Sequence, residues 1–431
     1  MSRRVAQGGP RRRTHSARGV ALTPVAGYRD LLRTRGVARI IAAQLTARFP
    51  GGMMSLAVLL HIEHLTHSYG AAGTVLAATS IGQAMAGPLT SRWMGAWGMR
   101  PVLLLTTGVQ AAALLLLALV PLPVAALIAC GLVIGLSTPP VQPAVRTIYP
   151  KMVNASRLTR LFSLDASLQE IIWVVAPVLT TFVAIQISTV AALLLIIVFL
   201  LAGGAWFIFS PEVGRVRIPR SRHPLGRVLR KPPVILSTVV GVVMLAAISS
   251  LETGVVAAYG EGGLESGLIL AVFAAGSLAG GLGFGHLPMG PWSAARRLAI
   301  MAFGIALTLF SLNAWWLGFS VLVAGMGIAP VFALTFSIVS ASVKFSETAE
   351  AYGWLNTGQL IGAALGSAIA GFVIDGVGPA AAFWVATGFA VLCVLLAAAC
   401  VRGFPDLRGR DASPQPDTGM IQTVTGSFRM P

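Results

Sequence analysis

Four charged side chains lie inside long apolar runs of this sequence: Arg48, Asp165, Glu170 and Glu252. If such runs cross a bilayer, a charge near the centre costs at least about 2.5–3.5 kcal/mol, so it needs a partner or a task. Arg48 and Glu170 lie about eleven and nine residues into their runs, roughly 13–17 Å deep at 1.5 Å per residue. Equal depth and opposite charge predict an ion pair, which either fixes helix packing or lines an aqueous cavity.

The other two carboxyls have different surroundings. Asp165 lies five residues before Glu170, about 140° around a helix, so the two do not share a face. It lies about one turn from the end of its run, which predicts a solvated or interface-bridging carboxylate. Glu252 lies in the outer third of its run, beside Ser249 and Thr253. It either faces water or holds a proton, because a lone carboxyl in apolar surroundings favours the neutral form.

Several other polar residues have structural explanations. Arg146 ends an apolar run, which predicts an anchor at the membrane boundary. Ser346 is placed to cap a helix, and Glu347 and Glu350 in its first turn would complement the helix dipole. The sequence predicts no metal site and no cofactor, although three histidines of one short connection are spaced by three: His61, His64 and His67.

The composition is that of a membrane protein. Of 431 residues, 56% are hydrophobic and 10% are charged, with a mean hydropathy of +0.81. A soluble domain has about 25% charged residues, so a water-soluble globule is excluded. The net charge of +17 could suggest nucleic acid, but the basic residues adjoin apolar runs and predict contact with anionic lipid headgroups instead. The three cysteines fall within apolar runs, so no disulfide framework is predicted.

The basic residues alternate along the chain. The odd connections between runs carry no Lys or Arg, and every basic residue except Arg48 lies in a tail, an even connection or a bordering helix end. Because basic loops stay in the cytoplasm, this alternation predicts an even number of crossings with both termini inside. Twelve spans of about 20 residues fit: Val37–His61, Ala71–Leu89, Pro101–Val120, Val124–Arg146, Leu161–Ala184, Ser188–Phe209, Pro233–Ala257, Ser266–Phe284, Arg297–Asn313, Trp316–Ser337, Ala351–Ile374 and Ala381–Val401.

A basic central connection divides these spans into two sets of six. The sequences Gly82–Gly87 and Gly276–Gly281 form a weak repeat, each in the second span of its half. Repeated halves with a site near the midplane are the plan of many secondary carriers. The predicted fold is an all-α polytopic membrane protein of two pseudo-symmetric six-helix bundles. Its parts are a basic tail (1–36), the first bundle (37–210), a linker (211–232), the second bundle (233–402) and a second tail (403–431), with both tails disordered.

This layout resembles the major facilitator superfamily. The connection after the second span, with Gly87, Arg92, Gly98 and Arg100, is similar to the family's signature loop of glycine, acid and arginines. The acidic position holds Ser91 or Gly95, depending on the glycine used for alignment, which leaves the family's charge lock without its acid. The fifth span, from Asp165 to Ala176 and Pro177, resembles a pattern in actinobacterial members of efflux type.

The resemblance implies how several small residues work. In this fold the second, fifth, eighth and eleventh helices form the contact between halves, so their glycines either permit rocking or pack statically: Gly276, Gly280, Gly281, Gly362 and Gly366. The fourth and tenth helices line the cavity. Prolines remove amide donors and loosen a helix, so bending during gating is predicted at Pro139, Pro140, Pro143 and Pro330.

The resemblance also implies the function. We expect an alternating-access carrier, not an enzyme, that exports an apolar or weakly polar small molecule in exchange for protons through Arg48, Glu170, Glu252 and Asp165. The alternatives are an importer of the same fold and a transport-inactive sensor or scaffold. Small-molecule substrate, protons and lipids are the predicted partners of a monomer, without nucleic acid. An excess of Arg over Lys is typical of a GC-rich bacterium, which predicts the bacterial inner membrane.

Overall fold

The chain is helical nearly throughout the part that the structure describes. The only pairing outside helices in that part is an isolated bridge between Lys344 and Gln415. The structure is a computed structural model, and it describes residues 24–221, 223–259, 264–285, 287–408 and 412–417.

The N-terminal half begins with a short helix outside the predicted spans. Six spans follow, the fourth of them in two pieces, and a short helix opens the linker to the second half. The helices of this half and of the linker are α1 (Pro24–Arg33), α2 (Val37–Thr66), α3 (Tyr69–Trp97), α4 (Met99–Leu119), α5 (Val124–Leu136), α6 (Val141–Ile148), α7 (Ala155–Gln186), α8 (Thr189–Ile208) and α9 (Pro211–Arg215).

The C-terminal half repeats the arrangement with six helices. They are α10 (Pro232–Tyr259), α11 (Leu264–Phe284), α12 (Ser293–Leu307), α13 (Ala314–Ser342), α14 (Thr348–Val377) and α15 (Ala380–Ala399). In the described part, ten helical segments of the chain are long and apolar enough to cross a membrane. With α3 and α12, they make up the two sets of six, so the predicted polytopic fold is confirmed.

Helix α3 extends beyond its predicted end. It continues through Arg92 to Trp97, so most of the predicted signature loop is helical. The helix ends at Gly98, whose φ of 96° is a backbone conformation that favours glycine. Hydropathy falls after Leu89 because the next three side chains, Thr90 to Arg92, are polar, but the backbone there remains hydrogen-bonded within the helix. The loop is therefore a single glycine between α3 and α4.

The fourth span is broken at its prolines. Helix α5 ends at Leu136, and α6 begins at Val141 after Pro139 and Pro140. A proline has no amide hydrogen and clashes with the preceding turn, so two in succession end a helix. Pro330, in contrast, lies within an unbroken α13, where the Arg297 guanidinium donates a hydrogen bond to its carbonyl at 2.8 Å. Bending of these helices during gating stays a prediction.

The halves share one core at only one end of the bundle. We call the end that carries the α3–α4 connection and the 209–231 linker the basic end, and the other the non-basic end. One cluster of buried apolar residues joins the C-terminal half to the basic-end parts of α2, α6 and α7. A second cluster consists only of residues from the non-basic part of the N-terminal half. The halves are therefore packed together at the basic end and separate at the other.

Most of the predicted small-residue faces pack within a half. Added Cβ atoms at Gly276 and Gly280 of α11 would overlap carbonyls of α13, and those at Gly362 and Gly366 of α14 would overlap carbonyls of α10. These four glycines fit static packing, since helices approach closely where side chains are small. Gly281 differs, because its neighbour is Ser167 of α7 in the other half.

The described parts of both tails are ordered, which corrects the prediction of disorder. In α1, Leu31 is buried, and the Tyr28 hydroxyl donates a hydrogen bond to the carbonyl of Gly281 at 3.2 Å. After the second bundle, Phe404 is buried, and Gln415 exchanges backbone hydrogen bonds of 2.9 and 3.0 Å with the 343–345 segment. The rest of the tails, residues 1–23, 409–411 and 418–431, lies outside the described residues.

Packing of α14 on α10 gives a stability prediction. Gly362→Ala places a methyl group against the backbone carbonyl of Val242, and such overpacking costs about 1–3 kcal/mol. We expect a lower thermal midpoint in detergent, measured by intrinsic fluorescence. The control is Gly371→Ala on the same helix, where no atom lies within 4 Å of the new methyl group. Equal midpoints for the two variants would contradict close packing at Gly362.

Candidate functional site

Arg48 pairs with Asp165 and not with Glu170. Its Nη1 lies 3.5 Å from Asp165 Oδ1 and donates to Gln44 Oε1 at 2.9 Å, and its Nη2 donates to Gln169. The predicted Arg48–Glu170 pair is therefore wrong. Asp165 and Gln169 are four residues apart and share the face of α7 that meets α2, whereas Glu170 points about 100° away.

Asp165 is completely buried, so of the two predicted roles, solvated or interface-bridging, the solvated one is wrong. Its Oδ1 accepts hydrogen bonds from Gln44 Nε2 at 3.0 Å and from the Tyr149 hydroxyl at 3.1 Å. Its Oδ2 accepts from Arg146 Nε at 3.3 Å. Residues 161–167 of α7 are all buried because both halves surround them at the basic end. A buried carboxylate requires such donors, since ionised oxygens cannot be left unpaired.

Arg146 is not a boundary anchor, as predicted, but part of the buried site. Only 2% of its side chain is exposed. One face of the guanidinium lies over the ring of Phe336 in α13, with 3.4 Å from Cζ to the ring centroid. A cation over an aromatic face is stabilised by the ring quadrupole. The break before α6 lets this helix turn inward, so Arg146 joins Asp165 to an aromatic residue of the other half.

Gln142 connects this cluster to α14. In one orientation its Nε2 donates to Gln169 Oε1 at 3.0 Å. In the reversed amide orientation its oxygen accepts from Arg48 and, at 3.2 Å, from Arg146, while its nitrogen donates to Asn356 Oδ1 at 2.9 Å. Neighbouring donors and acceptors decide such an assignment, and here they favour the reversed orientation. Gln142 and Asn356 then bridge the two halves.

Glu170, five residues after Asp165 on α7, makes a contact with the C-terminal half. Its Oε1 accepts a hydrogen bond from the hydroxyl of Ser277 in α11 at 3.0 Å. Glu252 of α10 lies within electrostatic range of Glu170, and no described side chain donates a hydrogen bond to it. Two of the predicted carboxyls, one from each half, are therefore within electrostatic range of each other, and neither of them has a basic partner among the described residues.

Closer to the basic end than these carboxyls, two pairs of helices hold the two halves together. The backbones of Gly87 in α3 and Gly353 in α14 approach so closely that a Cβ on either would meet the other helix. The Thr357 hydroxyl donates to the carbonyl of Ala84 at 2.8 Å. In the second pair, α7 and α11, the Ser163 hydroxyl donates to the carbonyl of Gly281 at 2.6 Å.

An ionic lock accompanies these contacts, with the acid on the opposite half from the family pattern. Arg92 Nη1 lies 3.5 Å from Glu350 Oε2, and the amide of Gly226 in the linker donates to Glu350 Oε1 at 2.8 Å. Lys231 Nζ lies 2.6 Å from Glu347 Oε2. Glu350 thus joins α14 to the linker and to the N-terminal half, and Glu347 joins it to the linker.

The Ser346 hydroxyl donates a hydrogen bond to Asp417 at 2.6 Å instead of capping α14. The prediction that Ser346 caps α14 is therefore wrong, whereas Glu350 does lie in the first turn of this helix.

The other two signature residues stay within their half. Arg100 Nε donates to the carbonyl of Ile208 at 3.0 Å, and its Nη2 donates to that of Ser210 at 3.3 Å. Gly98 forms the turn from α3 to α4. Of the four signature residues, Gly87 and Arg92 therefore contact the C-terminal half, whereas Gly98 and Arg100 hold the N-terminal half together.

Toward the non-basic end the halves separate and leave a cleft. Beyond Glu170, α7 buries a stripe four residues apart, Ile172, Ala176 and Thr180, against its own half. In the same way, the outer part of α14 buries Gly362 and Gly366 and exposes Ala364 and Leu365 between them. Partly exposed polar side chains lie at the bottom of the cleft: Arg48, Gln142, Gln169, Glu170 and Asn356.

Of the three histidines spaced by three, His61 makes hydrogen bonds within the N-terminal half. His61 is buried, with Nδ1 3.0 Å from the hydroxyl of Thr189 and Nε2 3.2 Å from the carbonyl of Leu117. No group of three or more His, Cys, Asp or Glu side chains able to hold a metal ion occurs in the described ranges.

A cleft between two six-helix halves, with polar residues at its base, is the arrangement of a membrane carrier. The family model described as the Major Facilitator Superfamily matches residues 40–312 and 281–423 of this chain. The chain therefore belongs to this superfamily of transporters, and it is a multi-pass membrane protein of a transporter family rather than an enzyme family. No curated protein matches the chain in sequence.

Solved structures share the fold at low sequence identity. The human organic anion transporter MFSD10 (TETRAN) has a TM-score of 0.65 and 16% identity over 84% of this chain and 99% of its own. A bacterial homologue of the iron transporter ferroportin, in an outward-facing state, has a TM-score of 0.68 and 15% identity over 85% of this chain and 99% of its own. The proton:xylose symporter XylE has a TM-score of 0.65 and 12% identity over 87% of this chain and 97% of its own. These likenesses establish the fold.

The Asp165 network predicts a large stability effect. Asp165→Asn leaves the guanidiniums of Arg48 and Arg146 buried without a counter-ion, and such a loss costs about 3–5 kcal/mol. We expect a strongly reduced thermal midpoint and yield, measured in detergent by size-exclusion chromatography and intrinsic fluorescence. In Glu170→Gln the amide oxygen still accepts from Ser277, so its midpoint should stay near the original. A stable Asp165→Asn protein would show that the guanidiniums are solvated.

The lock at the basic end predicts a conformational effect. Glu350→Gln removes the ion pair with Arg92 but leaves an oxygen for the Gly226 amide, so the basic end should open more often. Spin labels on cysteines at Ala96 and Leu287, in a variant without the native cysteines, report the distance between halves. We expect an added population at longer distance.

The matched control for the lock is Glu212→Gln. Glu212 pairs with Arg39 at the same end but within the N-terminal half, so its neutralisation should leave the distance between the labels unchanged. An equal change in both variants, or none in Glu350→Gln, would contradict a lock between the halves.

Proposed function

We propose that this protein is a proton-coupled exporter that moves an apolar or weakly polar small molecule by alternating access. The observation that carries the proposal is the position of Glu170 at the base of the cleft, hydrogen-bonded across the halves to Ser277 and close to Glu252. A carboxyl that bridges two moving halves can couple its protonation to their relative position. This proposal includes the efflux-type subfamily suggested by the sequence of the fifth span.

The proposed orientation places the basic end in the cytoplasm of a bacterial cell, so that the cleft opens outward. Protons then reach Glu170 and Glu252 from outside. Neutral carboxyls are less costly to enclose than ionised ones, so protonation favours closure of the cleft and opening of the basic end. Substrate enters from the cytoplasmic side as protons leave, and the return movement releases it outside.

Two further sets of residues have roles in this cycle. Gly87, Gly353 and the Arg92–Glu350 pair hold the basic end closed in the outward-open state. The break at Pro139 and Pro140 gives α6 freedom to move Arg146 away from Phe336 when that end opens. The titles of two structural neighbours, an organic anion transporter and a proton:xylose symporter, support small-molecule transport and proton coupling as proposals for this chain.

A compound panel tests the direction and the coupling. Cells with and without the protein are compared for accumulation of each compound, with and without a protonophore. Lower accumulation in cells that contain the protein, abolished by the protonophore, would support proton-driven export. Uptake driven by an inward proton gradient, without efflux in everted vesicles, would support an importer of the same fold instead.

The coupling role of Glu170 gives a prediction for transport. Glu170→Gln retains an acceptor for Ser277 but cannot release a proton, so proton-driven efflux should fall at least about tenfold while expression stays near that of the original protein. Efflux from everted vesicles is measured across a range of imposed proton gradients. The variant should show a rate that no longer depends on the gradient.

Glu265→Gln serves as the control, because Glu265 is an exposed carboxyl in the first turn of α11. Its gradient dependence should match that of the original protein. Parallel losses of expression and efflux in Glu170→Gln would instead assign a packing role to Glu170.

A further inference from the structure

Two buried guanidiniums share one carboxylate near the base of the cleft. Arg48 Nη1 lies 3.5 Å from Asp165 Oδ1, and Arg146 Nε lies 3.3 Å from Asp165 Oδ2. In the described part, Asp165 is the one carboxylate that acts electrostatically on either arginine. The cluster therefore carries one positive charge in excess. An unbalanced charge at this depth is costly unless something compensates it.

The excess charge is most accessible at Arg48. Arg146 is enclosed by Asp165 and the ring of Phe336, so no further anion can reach it. Apart from Asp165, Arg48 contacts only neutral amides, those of Gln44, Gln169 and, in the reversed orientation, Gln142. A tenth of the Arg48 side chain is exposed, and the exposed part lies at the base of the cleft.

Toward the non-basic end, exposed apolar side chains continue the faces of α7 and α14 that contact the other half. Trp173 lies one turn beyond Glu170 on the same face of α7 and is 55% exposed. Ile361 and Leu365 continue the face of α14 that carries Thr357 at the contact between the halves, and both are exposed. A molecule that enters the cleft therefore meets apolar side chains along its length and a guanidinium at its end. This combination suits a ligand with an apolar body and one anionic group.

We propose that Arg48 is the binding site for the anionic group of an amphiphilic monoanion, such as an aryl or alkyl carboxylate or sulfonate. The proposal rests on the proposed function and revises the class of its substrate, from an apolar or weakly polar molecule to an apolar molecule that carries one anionic group. A guanidinium offers parallel N–H donors that match a carboxylate or sulfonate. One bound anion makes the cluster of Arg48, Arg146 and Asp165 electrically neutral. The loaded site can then be enclosed in the membrane at lower cost than the empty one.

A pair of probes that differ in one charge tests the proposal without any gradient. Labelled 1-naphthylacetate and its uncharged analogue 1-naphthylacetamide are titrated against the protein in nanodiscs, with empty nanodiscs as the background. One charge-assisted hydrogen bond contributes about 1.5–3 kcal/mol, so the carboxylate should bind at least about tenfold more tightly than the amide. Equal affinities, or no saturable binding of the carboxylate, would overturn the proposal.

Three variants assign the preference to Arg48. Arg48→Gln should remove the preference for the carboxylate. Arg157→Gln, which removes an equal charge from an exposed position on α7, should keep it. Gln142→Glu places a carboxylate beside both guanidiniums, so it should mimic the bound anion, raise the thermal midpoint and abolish carboxylate binding with Arg48 still present.

The Gln142→Glu variant decides the question if Arg48→Gln does not fold. A Gln142→Glu protein that still prefers the carboxylate would overturn the proposal, because the proposed site would then already be neutral. The binding assay also separates this proposal from the proposed function. Charge-dependent binding without proton-driven efflux would contradict the function alone, whereas proton-driven efflux without charge-dependent binding would contradict the assignment of the substrate class.

Discussion

The arrangement of the N-terminal half depends on one buried carboxylate, Asp165 of α7, which accepts four hydrogen bonds from side chains of α2, α6 and the turn after α6. Removal of an ionised group from water is unfavourable unless each oxygen is satisfied. Asp165 therefore fixes the positions of Arg48 and Arg146, and through Arg146 it extends to Phe336 in the other half. A change in the distance between the halves must alter this cation–π contact.

Closure of the basic end combines two kinds of contact that differ in how easily they separate. The close approach at Gly87 and Gly353 is bordered by the small side chains of Ser91 and Thr357, and the Thr357 hydroxyl donates to the carbonyl of Ala84. Separation therefore costs mainly lost packing and one hydrogen bond. The Arg92–Glu350 pair is partly exposed, and such pairs contribute only about 0–1 kcal/mol because water solvates both charges after separation. Neither contact is strong, so the apolar core that the halves share at this end is the larger part of what must separate when this end opens.

The sequence predicted the number and order of the spans because hydropathy and the position of basic residues depend on the membrane alone. It did not predict the partner of Arg48, because depth along a helix gives no information about direction around it. The four-residue spacing of Asp165 and Gln169 was the available signal, since both must face the same neighbour. Arg146 was assigned to the boundary from its place at the end of a run, whereas the prolines before it turn α6 inward.

Asp165 differs in its hydrogen bonding from the two partly exposed carboxyls, Glu170 and Glu252. Asp165 has two guanidiniums, an amide and a phenol as hydrogen-bond or ion-pair donors. Glu170 has one hydroxyl, and Glu252 lies close enough to repel it. Two carboxyls of like charge in low dielectric favour the state in which at least one of them is neutral. Within the proposed function, proton exchange is therefore assigned to Glu170 and Glu252, whereas the role of Asp165 is to hold Arg48 and Arg146 in place.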